Sequence, residues 1–159
     1  EEFIEKFQDR IKWEAISYNK TLTEDLIRKC PDKIHWDIVS EYQSFSIDFT
    51  LDFKEKIDWF SFSLNENITE EIIQKFTDYV EWEEVSKRQN LTNLFVTENK
   101  DKVHWNRYFV YQKADFEMYK KFITKTTYKK VEEFKNAHLS RLQKQEIQKI
   151  LDLKYLFEA

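Results

Sequence analysis

The chain's five tryptophans stand at Trp13, Trp36, Trp59, Trp82 and Trp105, each 23 residues after the last. A fixed period of that length constrains the fold more than any single motif. It is the mark of a repeat array, in which one short unit recurs and buries its apolar face against its neighbours. Aligned on the tryptophans, the flanking residues fall into columns. Two before stand Ile11, Ile34, Ile57, Val80 and Val103. Three after come Ile16, Val39, Phe62, Val85 and Tyr108, and four after come Ser17, Ser40, Ser63, Ser86 and then Phe109. Ten after come Thr23, Ser46, Thr69, Thr92 and Asp115.

Each unit reads as two short helices. The Thr/Ser/Asp column supplies side-chain oxygens for orphan backbone N–H groups at a helix start. Acidic residues follow, as in Thr23-Glu24-Asp25 and Thr69-Glu70-Glu71, where they suit the helix dipole. The next apolar residues lie at i, i+1 and i+4 (Leu26, Ile27, Cys30; Ile72, Ile73, Phe76), which is one helix face and not an alternating strand. A second helix carries the Trp and the residue three later. Pro31 should end the first helix of its unit at Cys30.

Such a pair is too short to hide its apolar side alone. The expected fold is therefore all-α, an α-solenoid of stacked helix pairs with the indoles forming a buried column between them. A leucine-rich repeat shares the period but requires an L-x-x-L-x-L pattern that is missing. The chain has no glycine, which argues against sandwiches and barrels with many tight turns and against a Gly-rich phosphate cradle. Residues 1–112 read as five tandem repeats. Residues 113–159 read as a degenerate sixth, marked by Phe122 and Tyr128, plus a basic capping helix over Asn136–Ala159 carrying Leu139, Leu142, Ile147, Ile150, Leu151 and Leu153.

No catalytic residues, cofactor or metal ligands emerge. The one cysteine, Cys30, shares a column with Phe7, Phe53 and Phe76 and reads as a small core residue. His35 and His104 share a column with Lys12, Asp58 and Glu81, as a solvent-side helix start does. No signal peptide or membrane-length apolar run is visible, so a cytoplasmic, intracellular protein without a membrane partner is expected.

Three features point to binding. The serine column either lets helices approach closely or forms a binding ladder. The polar column seven after Trp offers Gln43, Glu66, Gln89 and Gln112 either to a protein partner or to the backbone between repeats. Residues 120–149 hold nine Lys/Arg against three acids, net +6, so the remainder of a chain of net −4 carries −10. Lys120, Lys121, Lys129 and Lys130 stand there among Tyr119, Phe122, Tyr128 and Phe134, a mixture that can hold nucleic acid. An acidic overall pI near 5.5 weighs against that use.

The repeat comes close to the pattern D-K-[IV]-x-W-x-x-[IV]-S-x-x-Q-x-L-[ST]-E-x-[FIL]-I-x-x-F. It is plainest from Asp32-Lys33-Ile34 through Trp36 to Ser40 and Gln43, from Ile68-Thr69-Glu70-Glu71-Ile72-Ile73 to Phe76, and from Val80 through Ser86 to Gln89. Over residues 1–112 this resembles short Trp-containing repeats of uncharacterised proteins from bacteriophages, giant viruses and bacteria with AT-rich genomes. The resemblance implies a repeat fold and a viral or mobile-element setting, in which the partner would be a host factor. It carries no active site with it. The expected function is a non-enzymatic repeat scaffold that binds a protein partner. Nucleic-acid binding through residues 120–149 is the alternative, and oligomers could form through exposed array ends.

Overall fold

The computed structural model describes residues 10–19, 22–88, 90–112, 114–133 and 139–158. Among them it contains twelve helices and no strand. The chain divides into two units, residues 1–81 and 82–159.

In the first unit, α1 (Trp13–Ser17), α3 (Trp36–Tyr42) and α5 (Trp59–Leu64) each begin on a tryptophan. They alternate with α2 (Glu24–Lys29), α4 (Ile47–Asp52) and α6 (Glu70–Lys75). In the second unit, α7 (Trp82–Arg88) and α9 (Trp105–Tyr111) begin on tryptophans and alternate with α8 (Asn93–Glu98) and α10 (Phe116–Phe122). α11 (Lys125–Glu133) and α12 (Arg141–Glu158) follow. α1 packs on α3 and α3 on α5; in the second unit α7 packs on α9, α9 on α11, and α10 on α12.

The alternating helices start where the Thr/Ser/Asp column stands. The side chains of Thr23, Ser46, Thr69, Thr92 and Asp115 accept the backbone N–H groups of Leu26, Phe49, Ile72, Phe95 and Met118. Each such cap contributes about 1 kcal/mol. α2 ends at Lys29 with Cys30 as its C-cap, since Pro31 cannot continue it. Cys30 itself is half-buried.

The core of each unit comes from the same columns. Ile34, Ile57, Val80 and Val103 are buried, as are Val39, Phe62, Val85 and Tyr108. From the alternating helices come Leu26 and Ile27, Ile72 and Ile73, Phe95 and Val96, and Met118 and Tyr119.

The tryptophans depart from the expected buried column. All five are only half-buried. An indole carries an N–H that needs an acceptor, and a position at the first turn of a helix provides one nearby. Trp36 Nε1 donates to Pro31 O, Trp59 Nε1 to Lys54 O and Trp105 Nε1 to Lys100 O, at 2.8–3.1 Å. Each bond closes the turn just before the Trp helix. The ring faces lie against the following helix: Trp36 on Phe53 at 5.3 Å, Trp59 on Phe76 at 5.3 Å and Trp105 on Phe122 at 4.2 Å. The tryptophans thus brace the outer side of a core made by smaller residues.

At the C-terminal end the continuous helix runs from Arg141 and not from Asn136; residues 134–138 lie outside the described residues. Ile147 and Leu151, one turn apart, are buried, while Leu142 and Leu153 face solvent.

Candidate binding surface

A repeat presents to a partner whatever its own architecture does not consume, so the inward polar columns come first. The backbone N–H of His35 donates to Ser17 Oγ at 3.2 Å, Asp58 N–H to Ser40 Oγ at 3.1 Å and Glu81 N–H to Ser63 Oγ at 2.8 Å. In the second unit His104 N–H donates to Ser86 Oγ at 3.0 Å. In every case the spacing is 18 residues, and the donor precedes the next tryptophan. Ser17, Ser63 and Ser86 in turn donate to the carbonyls of Trp13, Trp59 and Trp82. All four serines are fully buried, so within each unit the column bonds the residue before one tryptophan to the Trp helix before it. At the fifth position Phe109 replaces serine and stacks between Trp105 and Tyr119.

The amide column ties the other end. Gln43 follows α3 directly, is 4% exposed, and donates from Nε2 to the carbonyls of Ser17 and Asn19. Gln112 follows α9 and donates to Lys87 O at 2.7 Å. These carbonyls lie at or just past the end of the preceding Trp helix, where intrahelical donors run out. Gln43 therefore offers no amide to a partner. Gln89 lies outside the described residues. Glu66 is exposed, and its expected place is taken by Asn65, which is 1% exposed and donates to Ser40 O and Gln43 O at 2.8 and 2.6 Å. α5 has six residues where α3 and α9 have seven, so the residue that follows the helix arrives one position early. A shorter amide then reaches carbonyls at the same end of the preceding Trp helix, Ser40 O standing where Ser17 O does in the first repeat. Asn65 was legible as an amide, but not as a member of the column.

The outer side of the Trp helices carries what is left. His35 and His104 are exposed at helix starts and make no side-chain cap. Lys12, Asp58 and Glu81 hold the same exposed column. Aromatic rings also project there. Tyr18 is 53% exposed and lies 5.4 Å from Tyr42 across α1 and α3; Phe60 is 56% exposed on α5. In the second unit Tyr111 is 44% exposed, with the Lys87 ammonium 5.6 Å from its ring.

Each unit has a groove on this side at the same register. One of about 460 Å³ is lined by Lys12, Trp13, Glu14, Ala15, Tyr18 and His35. The other, of about 350 Å³, is lined by His104, Asn106, Arg107, Val110 and Tyr111, with Glu83 and Lys130. There Arg107 bonds Glu83 through Nε and Nη2, which holds the Glu83 carboxyl below its ordinary value.

The four lysines of the basic segment differ. Lys120 is paired with Glu117, and that bond raises its pKa; its ammonium lies over Phe116. Lys121 is exposed over the Phe122 ring, and Lys129 and Lys130 are exposed on α11. Among the described residues no group of three His, Cys, Asp or Glu could hold a metal, and no helix is long and apolar enough to cross a membrane. No protein-family model, curated protein or solved structure matches this chain.

Proposed function

We propose that the chain is a non-enzymatic repeat scaffold of α-solenoid type that binds a protein partner across the outward side of its Trp helices. The observation that carries this reading is the division of labour between columns. Serine, C-terminal amide and indole N–H bond the repeats to one another or close their turns, and they recur from unit to unit. The outward positions vary in charge from repeat to repeat and hold exposed aromatic rings. Tyrosine and phenylalanine on a rigid helical surface are the side chains that anchor protein interfaces, because they bury large areas at low entropic cost.

The test compares the wild-type protein with a variant carrying Tyr18→Ser, Tyr42→Ser, Phe60→Ser and Tyr111→Ser as affinity baits, each matched for helicity and melting temperature. Proteins retained by the wild type should be lost from the variant. An identical set of retained proteins would remove the aromatic face as the binding surface.

A further inference from the structure

The two units carry opposite charge. Residues 1–81 hold 19 acidic and 10 basic side chains, net −9; residues 82–159 hold 11 acidic and 16 basic, net +5. The positive excess of the second unit lies beyond residue 119, since residues 82–119 hold six acidic and six basic side chains. Ion pairs within each unit leave these net charges unchanged, because each takes one charge of either sign. In the first, Arg28 is bound to Asp52 and Lys56 to Asp32, which leaves carboxylates in excess. Asp25, Asp48 and Glu71 are exposed and share one register, the second residue of α2, α4 and α6. In the second, Lys121, Lys129 and Lys130 are exposed and have no carboxylate partner among the described side chains. Lys154 of α12 donates to Lys121 O at 3.3 Å, so α12 brings a further ammonium to the end of α10.

We propose that the chain associates with a second copy of itself, the basic surface of residues 82–159 in one copy seating on the acidic surface of residues 1–81 in the other. A body of complementary charge is thus supplied by the same sequence. Like units repel, −9 against −9 and +5 against +5, so only the crossed arrangement is attractive. Each copy carries both halves, which allows a closed pair or a longer chain. Contacts of this kind between exposed charges weaken steeply with salt, because the screening length falls from about 30 Å at 0.01 M to about 3 Å at 1 M.

Sedimentation velocity on the purified, nuclease-treated chain tests this. At about 50 µM protein and about 20 mM salt, species at or above twice 19.7 kDa are expected, returning to 19.7 kDa at about 0.5 M salt. A variant with Lys121→Glu, Lys129→Glu and Lys130→Glu should be monomeric at low salt, and so should one with Asp25→Lys, Asp48→Lys and Glu71→Lys. Mixed in equal amounts, the two should associate again, since the lysine variant keeps its first unit at −9 and the other keeps its second unit at +5. If the second variant fails to fold, the salt dependence and the lysine variant decide alone. A wild type that stays monomeric at low salt overturns the proposal, as does a lysine variant that associates as the wild type does. So does a monomer that shifts only when a single-stranded oligonucleotide is added, which would give the basic surface to nucleic acid. A monomeric wild type leaves the aromatic face as a partner surface untouched, so the two readings fail separately.

Discussion

The backbone N–H of Asp58 donates to the buried hydroxyl of Ser40, 18 residues earlier, at 3.1 Å. That N–H belongs to the residue before Trp59, where a helix start leaves donors without intrahelical partners. The serine of one repeat therefore satisfies the helix start of the next. The relation recurs at Ser17 with His35, Ser63 with Glu81 and Ser86 with His104.

Removing one such hydroxyl strands a buried donor, which costs about 1–3 kcal/mol. Ser40→Ala and Ser63→Ala should each lower the melting temperature by several degrees. Ser44→Ala, at an exposed position, should fall within about 0.5 kcal/mol of the wild type. Equal melting of all three would mean the ladder contributes nothing to stability.

Asn65 and Glu66 make a sharper pair. Asn65→Leu should cost about 2 kcal/mol or more, because Ser40 O and Gln43 O lose their shared donor inside the first unit. Glu66→Gln should be neutral within about 0.5 kcal/mol, as an exposed side chain. Chemical denaturation of the two variants checks it. A larger loss at Glu66 than at Asn65 would reverse the assignment of the amide column.

Much of this architecture could be read from residue order. The helix starts at Thr23, Ser46, Thr69, Thr92 and Asp115 were visible because capping is a local rule, written in one residue and the few that follow. The role of Asn65 was not, because helix length is set by packing and shifts the amide by one position without changing the 23-residue stride. The serine column was legible as a packing position, but its bonds span 18 residues and belong to tertiary structure. The charge pattern pointed to residues 120–149. The structure divides the chain into its two units after Glu81, and no sequence period marks that place.

The half-buried tryptophans set a ranking that can be measured. Trp59 keeps part of its ring in solvent and donates to Lys54 O, whereas Phe62 is 1% exposed. Phe62→Ala should cost about 3–5 kcal/mol through lost burial and the cavity left behind. Trp59→Phe keeps an aromatic ring against Phe76 and Tyr79 and loses the indole hydrogen bond, for about 1–2 kcal/mol. A Trp59→Phe variant less stable than Phe62→Ala would return the indoles to the centre of the core.

Alkaline pH should unfold the second unit by a route the first lacks. Burial, with the Asp115 charge behind it, pushes the Tyr108 phenol up to about 12. Burial, with Tyr108 behind it, pushes Tyr119 up to about 12 as well. In the first unit Tyr18, Tyr42 and Tyr79 are exposed, and Tyr42 is raised chiefly by its bond to the Glu41 carboxylate at the surface. A phenol whose folded pKa lies above its unfolded value near 10 contributes its full stabilisation below pH 10, and that is lost as pH rises towards 12. Helicity and phenolate absorbance followed from pH 9 to 12 should show the last two phenols ionising together with a loss of helix. Tyr119→Phe loses the bond from its hydroxyl to Phe109 O and should be less stable at neutral pH, yet its stability should fall less between pH 10 and 12. If all eight tyrosines ionise near pH 10 with helicity intact, burial of these two phenols is not what the structure describes.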